Sequence, residues 1–118
     1  MESLEKLEKM SAELMKQYDE LKKDGSTNQS ILLEIKNEYL VNEIDITQIK
    51  IQDKMDKQKI CSDLIEENKR VVEEGNFFAS GKAKIALAFH QSEFDTRQTK
   101  LNALNEQLSK DKGYLNDI

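Results

Sequence analysis

Residues 87–115 read LAFHQSEFDTRQTKLNALNEQLSKDKGYL, and a large apolar side chain returns at every seventh position. The repeating residues are Leu87, Phe94, Leu101, Leu108 and Leu115. A seven-residue apolar repeat with polar residues between is typical of the core positions of a coiled-coil helix. The stretch therefore predicts a long amphipathic helix whose apolar stripe packs against another helix.

The second set of core positions in this helix is mostly polar, with Leu104 as an apolar member. The polar members are His90, Arg97 and Asp111. Polar groups in a seam between helices weaken it but fix its register and its choice of partner. We predict that this third helical stretch spans about residues 82–112 and ends before Gly113.

A first helix is predicted at about residues 3–23, ahead of a short break around Gly25. Its seam residues are Leu4, Leu7, Leu14, Tyr18 and Leu21, and only Ser11 is out of place. Glycine commonly ends a helix in the left-handed conformation. Ser26 and Gln29 have the capping-box spacing, which predicts that Ser26 caps the next helix.

The middle stretch, about residues 28–74, contains no helix breaker and predicts one long helix. Its first half carries two apolar stripes. One consists of Leu32, Ile35, Tyr39, Ile46 and Ile49, and the other of Leu33, Leu40, Ile44, Ile51 and Met55. Ile44 and Ile46 point in nearly opposite directions on a helix, so we expect this part to be covered from both sides.

Two features of the middle stretch leave alternatives open. Residues 43–52 alternate apolar and polar side chains, as two strands of a hairpin would, although Thr47 and Gln48 are poor residues for its turn. Residues 53–59 are nearly all polar, which predicts that the seam pauses or slips there. Helix or hairpin at 43–52, and continuity of the helix through 53–59, therefore remain undecided.

A second break is predicted between Gly75 and Gly81, with Asn76 or Ser80 as the cap of the third helix. Residues 75–92 contain lysines but no acid, unlike the rest of the chain. The segment either packs its aromatic residues onto Val71 and Val72 or forms a docking surface for a protein partner. For the docking surface, the candidate residues are Phe77, Phe78, Ile85, Phe89 and Phe94.

Composition excludes several classes of protein. The 118 residues are 37% apolar and 35% charged, with no proline or tryptophan and a net charge of −5. Globular domains average about 45–50% apolar and about 25% charged residues, so a large self-sufficient core is not expected. The mild acidity predicts no nucleic-acid partner, and no run of about 20 apolar residues predicts insertion into a membrane.

Catalysis has little support in the sequence. Cys61 and His90 are the only residues of their kinds, and a helical hairpin centred near residue 75 would place them at the same level. A thiol and an imidazole are the minimum for nucleophilic catalysis, but no third orienting group or metal-ligand spacing accompanies them. We therefore expect no enzyme, no cofactor and no metal site.

These patterns predict one all-α domain over residues 1–118, an elongated antiparallel helical hairpin or coiled coil of three stretches. The seam residues are expected to be Leu7, Leu14, Leu21, Ile44, Ile46, Ile51, Leu87, Leu101, Leu104 and Leu108. We expect a scaffold or adaptor subunit of a protein complex, homo- or hetero-oligomeric through its seams. A small coiled-coil chaperone that holds a client protein, prefoldin-like or secretion-chaperone-like, is the alternative. The single cysteine and the absence of a signal-peptide pattern predict an intracellular, cytoplasmic protein, with the nucleus also open.

Overall fold

A computed structural model describes residues 3–26 and 28–117, which form three α-helices and no strand. Helix α1 spans Leu4–Asp24, α2 spans Gln29–Glu74 and α3 spans Phe77–Asp117. The predicted all-α class and the order of the three stretches are confirmed. Contacts group the chain into a three-helix unit, Met1–Lys50 with Leu104–Ile118, and a hairpin unit, Ile51–Ala103.

Helix α1 has the ends that its sequence favours. The Ser3 side chain caps it by accepting a hydrogen bond from the Lys6 backbone N–H at 3.3 Å. Gly25 follows with a φ of 72°, in the left-handed region where a side chain would be strained. The predicted glycine stop is confirmed.

Asn28 caps α2, so the predicted capping box of Ser26 is wrong. The Asn28 side-chain oxygen accepts a hydrogen bond from the Ser30 N–H at 2.8 Å. The Ser26 hydroxyl instead donates to the Asp24 carboxylate at 2.7 Å. Asparagine and serine cap helices about equally well. Ser26 is not the cap because its hydroxyl is hydrogen-bonded to the Asp24 carboxylate.

Helix α2 runs unbroken through residues 43–59, so the strand hairpin is wrong. The Thr47 hydroxyl donates to the Glu43 carbonyl one turn earlier at 2.9 Å, an arrangement typical of threonine within a helix. Ile44 and Ile46 are both buried. The apolar alternation therefore reflects a helix covered on two sides, as the stripe pattern predicted.

A polar layer joins α1 to α2 in the three-helix unit. The buried Asn42 amide nitrogen donates to the Leu7 carbonyl and to the Ser11 hydroxyl, both at 2.6 Å. Ser11 is thus a core residue of the seam, not an interruption of it. A layer of this kind fixes the register of two helices because a shift would leave the buried amide without partners.

The seam of the hairpin unit does not pause at residues 53–59, contrary to the sequence prediction. The less exposed residues of α2 keep alternating steps of three and four through this region: Ile51, Lys54, Gln58, Cys61, Ile65, Asn68 and Val72. Polar residues such as Gln58 occupy core positions here. Leu33 and Met55, which the sequence placed on an apolar stripe, are about half exposed instead.

Helix α3 is longer than predicted at both ends. It begins at Phe77 instead of about residue 82, and it continues through Gly113 to Asp117 instead of ending near 112. A glycine inside a helix costs only about 1 kcal/mol relative to alanine. The half-buried Leu115 continues the seam beyond it.

Each of the ten predicted seam residues is at least partly withdrawn from solvent. The buried ones are Leu7, Ile44, Ile46 and Leu101, and the half-buried ones are Leu14, Leu21, Ile51, Leu87, Leu104 and Leu108.

Candidate interaction surface

The outer face of α3 carries an exposed apolar stripe in the hairpin unit. Phe78, Ile85 and Phe89 are 80%, 76% and 62% exposed. Steps of seven and four residues keep their side-chain directions within about 40° of one another on a helix. Ala83 and Leu87, on the opposite side, belong to the seam of the hairpin.

The cap of α3 explains why the aromatic residues stay exposed. The Asn76 side-chain oxygen accepts from the Ala79 N–H at 2.8 Å, which starts the helix at Phe77. Phe77 and Phe78 thus lie in the first helical turn and do not pack onto Val71 and Val72. The packed alternative for this segment is wrong.

Gly75 makes the tight turn before this cap possible. Its N–H donates to the Val71 carbonyl at 2.8 Å, and an added Cβ would lie 2.5 Å from that same carbonyl oxygen. Any other residue would place its Cβ against this backbone oxygen at the end of α2, so the turn would have to shift.

Two of the five candidate docking residues lie away from the stripe. Phe77 is 87% exposed but points about 100° from Phe78, since the two are adjacent on a helix. Phe94 is half-buried in the seam, and its carbonyl accepts a hydrogen bond from Gln58. The structure therefore brings together Phe78, Ile85 and Phe89, and it excludes Phe94 from the exposed surface.

A basic groove of about 370 Å³ adjoins Phe89. Its lining residues are Lys54, Lys57, Phe89, Ser92, Glu93, Thr96, Arg97 and Lys100. An ion pair of 3.0 Å ties Lys57 to Asp53 on the same helix. The groove shows that Lys57 of α2 and Phe89 of α3 lie on the same side of the hairpin.

A polar cluster in the hairpin core connects α2 to α3. Arg97 donates from Nη1 to Gln58 Oε1 at 3.0 Å, and Gln58 donates from Nε2 to the Phe94 carbonyl at 3.1 Å. The sequence predicted a polar residue at Arg97 in the seam but missed its partner. Because Gln58 is satisfied only by groups on α3, the cluster fixes the register of the two helices.

Cys61 and His90 lie at the same level, as a hairpin centred near residue 75 requires, but their side chains do not pair. The buried Cys61 thiol donates to the His90 carbonyl at 3.1 Å. The His90 ring nitrogen Nδ1 lies 3.2 Å from Glu93 Oε1. Each side chain therefore has a structural contact of its own.

A second exposed stripe, on α2, was missed by the sequence analysis. Ile60 is 62% exposed, Leu64 is 37% exposed, and Val71 is half-buried. Their steps of four and seven residues place them on one side of α2, near Lys57. The spacing of these residues was available in the sequence.

Acidic side chains accompany the α2 stripe. Asp63, Glu66, Glu67 and Arg70 line a shallow groove, so three of its four residues are acidic. The hairpin unit thus has an acidic surface on α2 and, on α3, an acid-free segment carrying Lys82 and Lys84.

Tyr39 is a half-buried phenol in the three-helix unit. Burial, and then the negative charges of Glu43 and Asp111, raise its pKa above the ordinary value of 10.0. A raised pKa stabilises the fold below pH 10, and this contribution is lost as the pH rises through the folded-state pKa.

We therefore expect wild-type protein to lose more stability than Tyr39→Phe between about pH 9 and about pH 11. Urea unfolding at both pH values measures the difference, and the other titrating groups are common to the two proteins. Equal losses would show that the phenol does not titrate abnormally.

Within the described residues, no group of three His, Cys, Asp or Glu side chains could hold a metal ion. In the same ranges, no helix has both the length and the apolar character needed to cross a bilayer. Comparison of the chain with protein families, with curated proteins and with solved structures finds no match.

Proposed function

We propose that this chain is a non-enzymatic coiled-coil scaffold or adaptor subunit that acts by helix–helix association in a protein complex. The observation that carries the proposal is the stripe of Phe78, Ile85 and Phe89, which is exposed on the face opposite the seam. Contiguous exposed apolar residues are typical of interaction sites, and aromatic residues contribute strongly to binding energy.

The contacts of the reactive side chains support the non-enzymatic part of the proposal. A catalytic thiol needs a base within hydrogen-bond reach, whereas Cys61 donates to a backbone carbonyl and His90 pairs with Glu93. We also place the protein in a reducing compartment inside the cell, where one buried free cysteine is stable.

The test is affinity purification of the tagged protein from its native source, followed by cross-linking through Lys82 and Lys84. Phe78→Ser with Phe89→Ser should lower recovery of the cross-linked partner about 10-fold. Phe77→Ser is the matched control, because it removes an equally exposed aromatic residue that points away from the stripe. A partner recovered equally well with all variants would contradict the role of this surface.

Client holding is a second candidate, favoured by the two aromatic residues exposed at the turn of the hairpin, Phe77 and Phe78. A holding chaperone suppresses aggregation of an unfolding client at stoichiometric amounts. In that case Phe77→Ser and Phe78→Ser would both weaken suppression, since a disordered client requires no particular helix face. Dependence on Phe78 alone would favour the scaffold.

A further inference from the structure

The two exposed stripes of the hairpin unit have the same spacing. On α2 the positions are Ile60, Leu64, Glu67 and Val71, and on α3 they are Phe78, Lys82, Ile85 and Phe89. Both sets follow steps of four, three and four residues, so each lies along one side of its helix. Such steps are those of a coiled-coil seam.

The chemistry of the stripes matches in one orientation only. When α2 and α3 run antiparallel, Ile60 meets Phe89, Leu64 meets Ile85 and Val71 meets Phe78. The remaining position of each stripe then brings Glu67 against Lys82. In the parallel orientation both charged residues would meet aliphatic side chains, which costs free energy.

The two stripes do not meet within one copy of the chain. In the hairpin, α2 and α3 contact each other through other positions, such as Cys61 with the His90 carbonyl. Phe78, Ile85, Phe89 and Ile60 stay more than half exposed. Within residues 3–26 and 28–117, neither the Glu67 side chain nor the Lys82 side chain forms an ion pair or hydrogen bond.

We propose that a second copy of this chain covers the stripe of α3 with its stripe of α2, in an antiparallel helix pair. Because each copy carries both stripes, two copies pair reciprocally and form each contact twice, as in a two-fold symmetric dimer. The acidic side chains around the α2 stripe and the acid-free segment of α3 are complementary in charge. This inference rests on the proposed function and specifies the partner helix.

Sedimentation equilibrium of the purified full chain over a range of concentrations tests the proposal. We expect a reversible dimer, and Phe89→Ser should raise its dissociation constant about 30-fold or more. Phe77→Ser, on a different face of the same helix, should leave the dissociation constant within about 2-fold of wild type. A wild-type chain that stays monomeric throughout would overturn the proposal.

A charge exchange tests the pairing independently of the apolar contacts. Glu67→Lys and Lys82→Glu each place like charges together twice in a homodimer, so each protein alone should dimerise about 10-fold more weakly. An equimolar mixture of the two variants restores both opposite-charge pairs and should form a heterodimer near wild-type strength. Circular dichroism confirms that each variant keeps its helices.

The outcomes separate this inference from the proposed function. If the wild-type chain dimerises but neither the charge variants nor Phe89→Ser weaken the dimer, the proposed pairing is overturned. Association through helices would then remain intact. A monomeric wild-type chain that binds a different protein through Phe78 and Phe89 would also overturn the pairing and leave helix association intact. A monomer without any such partner would overturn both.

Discussion

Ile46→Ala should lower the free energy of unfolding by about 3 kcal/mol, because Ile46 is among the most buried side chains of α2. It is 4% exposed in the part of α2 that is covered on two sides. Removing three of its carbon atoms there loses apolar burial and leaves a cavity that rigid neighbouring helices cannot fill. Urea unfolding followed by circular dichroism measures the loss.

The same substitution at Ile31 is the matched control. Ile31 lies in the first turn of the same helix and is 46% exposed. Its replacement by alanine should change the free energy of unfolding by less than about 0.5 kcal/mol. If both variants lost stability equally, the two-sided covering of α2 would be wrong.

The apolar repeats predicted most of the fold because their signal is local. Heptads define a helix and its buried face without knowledge of the partner, and so Leu87, Leu101 and Leu108 could be placed in a seam. Gly25 likewise marks a helix end through its own backbone preference. Such features need only residues close in sequence.

The polar core positions of α1 and α2 could not be predicted in the same way. Gln58 belongs to a polar run and is expected on the surface, and Ser11 interrupts an apolar stripe. Each is buried because a distant residue satisfies it: Arg97 lies 39 positions from Gln58, and Asn42 lies 31 positions from Ser11. The register of the helices creates these pairs, so a periodicity count of apolar residues does not detect them.

The candidate surface on α3 was predicted only in part from the sequence. The absence of acids in residues 75–92 was visible in the sequence and led to Phe78, Ile85 and Phe89. Phe94 has the same chemistry, but it also belongs to the seven-residue repeat of α3, and in the structure it lies half-buried in the seam. The start of α3 depended on the choice between Asn76 and Ser80 as its cap, which are residues of similar capping preference.

Asn42→Asp should destabilise the protein by about 3 kcal/mol at neutral pH, although it changes the shape of the side chain very little. The Leu7 carbonyl can only accept a hydrogen bond, so the group 2.6 Å from it must be a donor. A carboxylate would put a negative charge against that oxygen in a buried site. Burial and this repulsion should raise the pKa of the new carboxyl group above its unfolded value of about 3.9.

The pH dependence of Asn42→Asp distinguishes this mechanism from simple loss of packing. Below the unfolded pKa the carboxyl group is protonated in both states and can donate to the Leu7 carbonyl, so the variant should approach wild-type stability. As the pH rises through the raised folded-state pKa, that stability is lost. Asn37→Asp, at an exposed position of the same helix, should stay within about 0.5 kcal/mol of wild type at every pH. A loss for Asn42→Asp that is the same at low and neutral pH would contradict this mechanism, because a protonated carboxyl group that donates to the Leu7 carbonyl should restore stability.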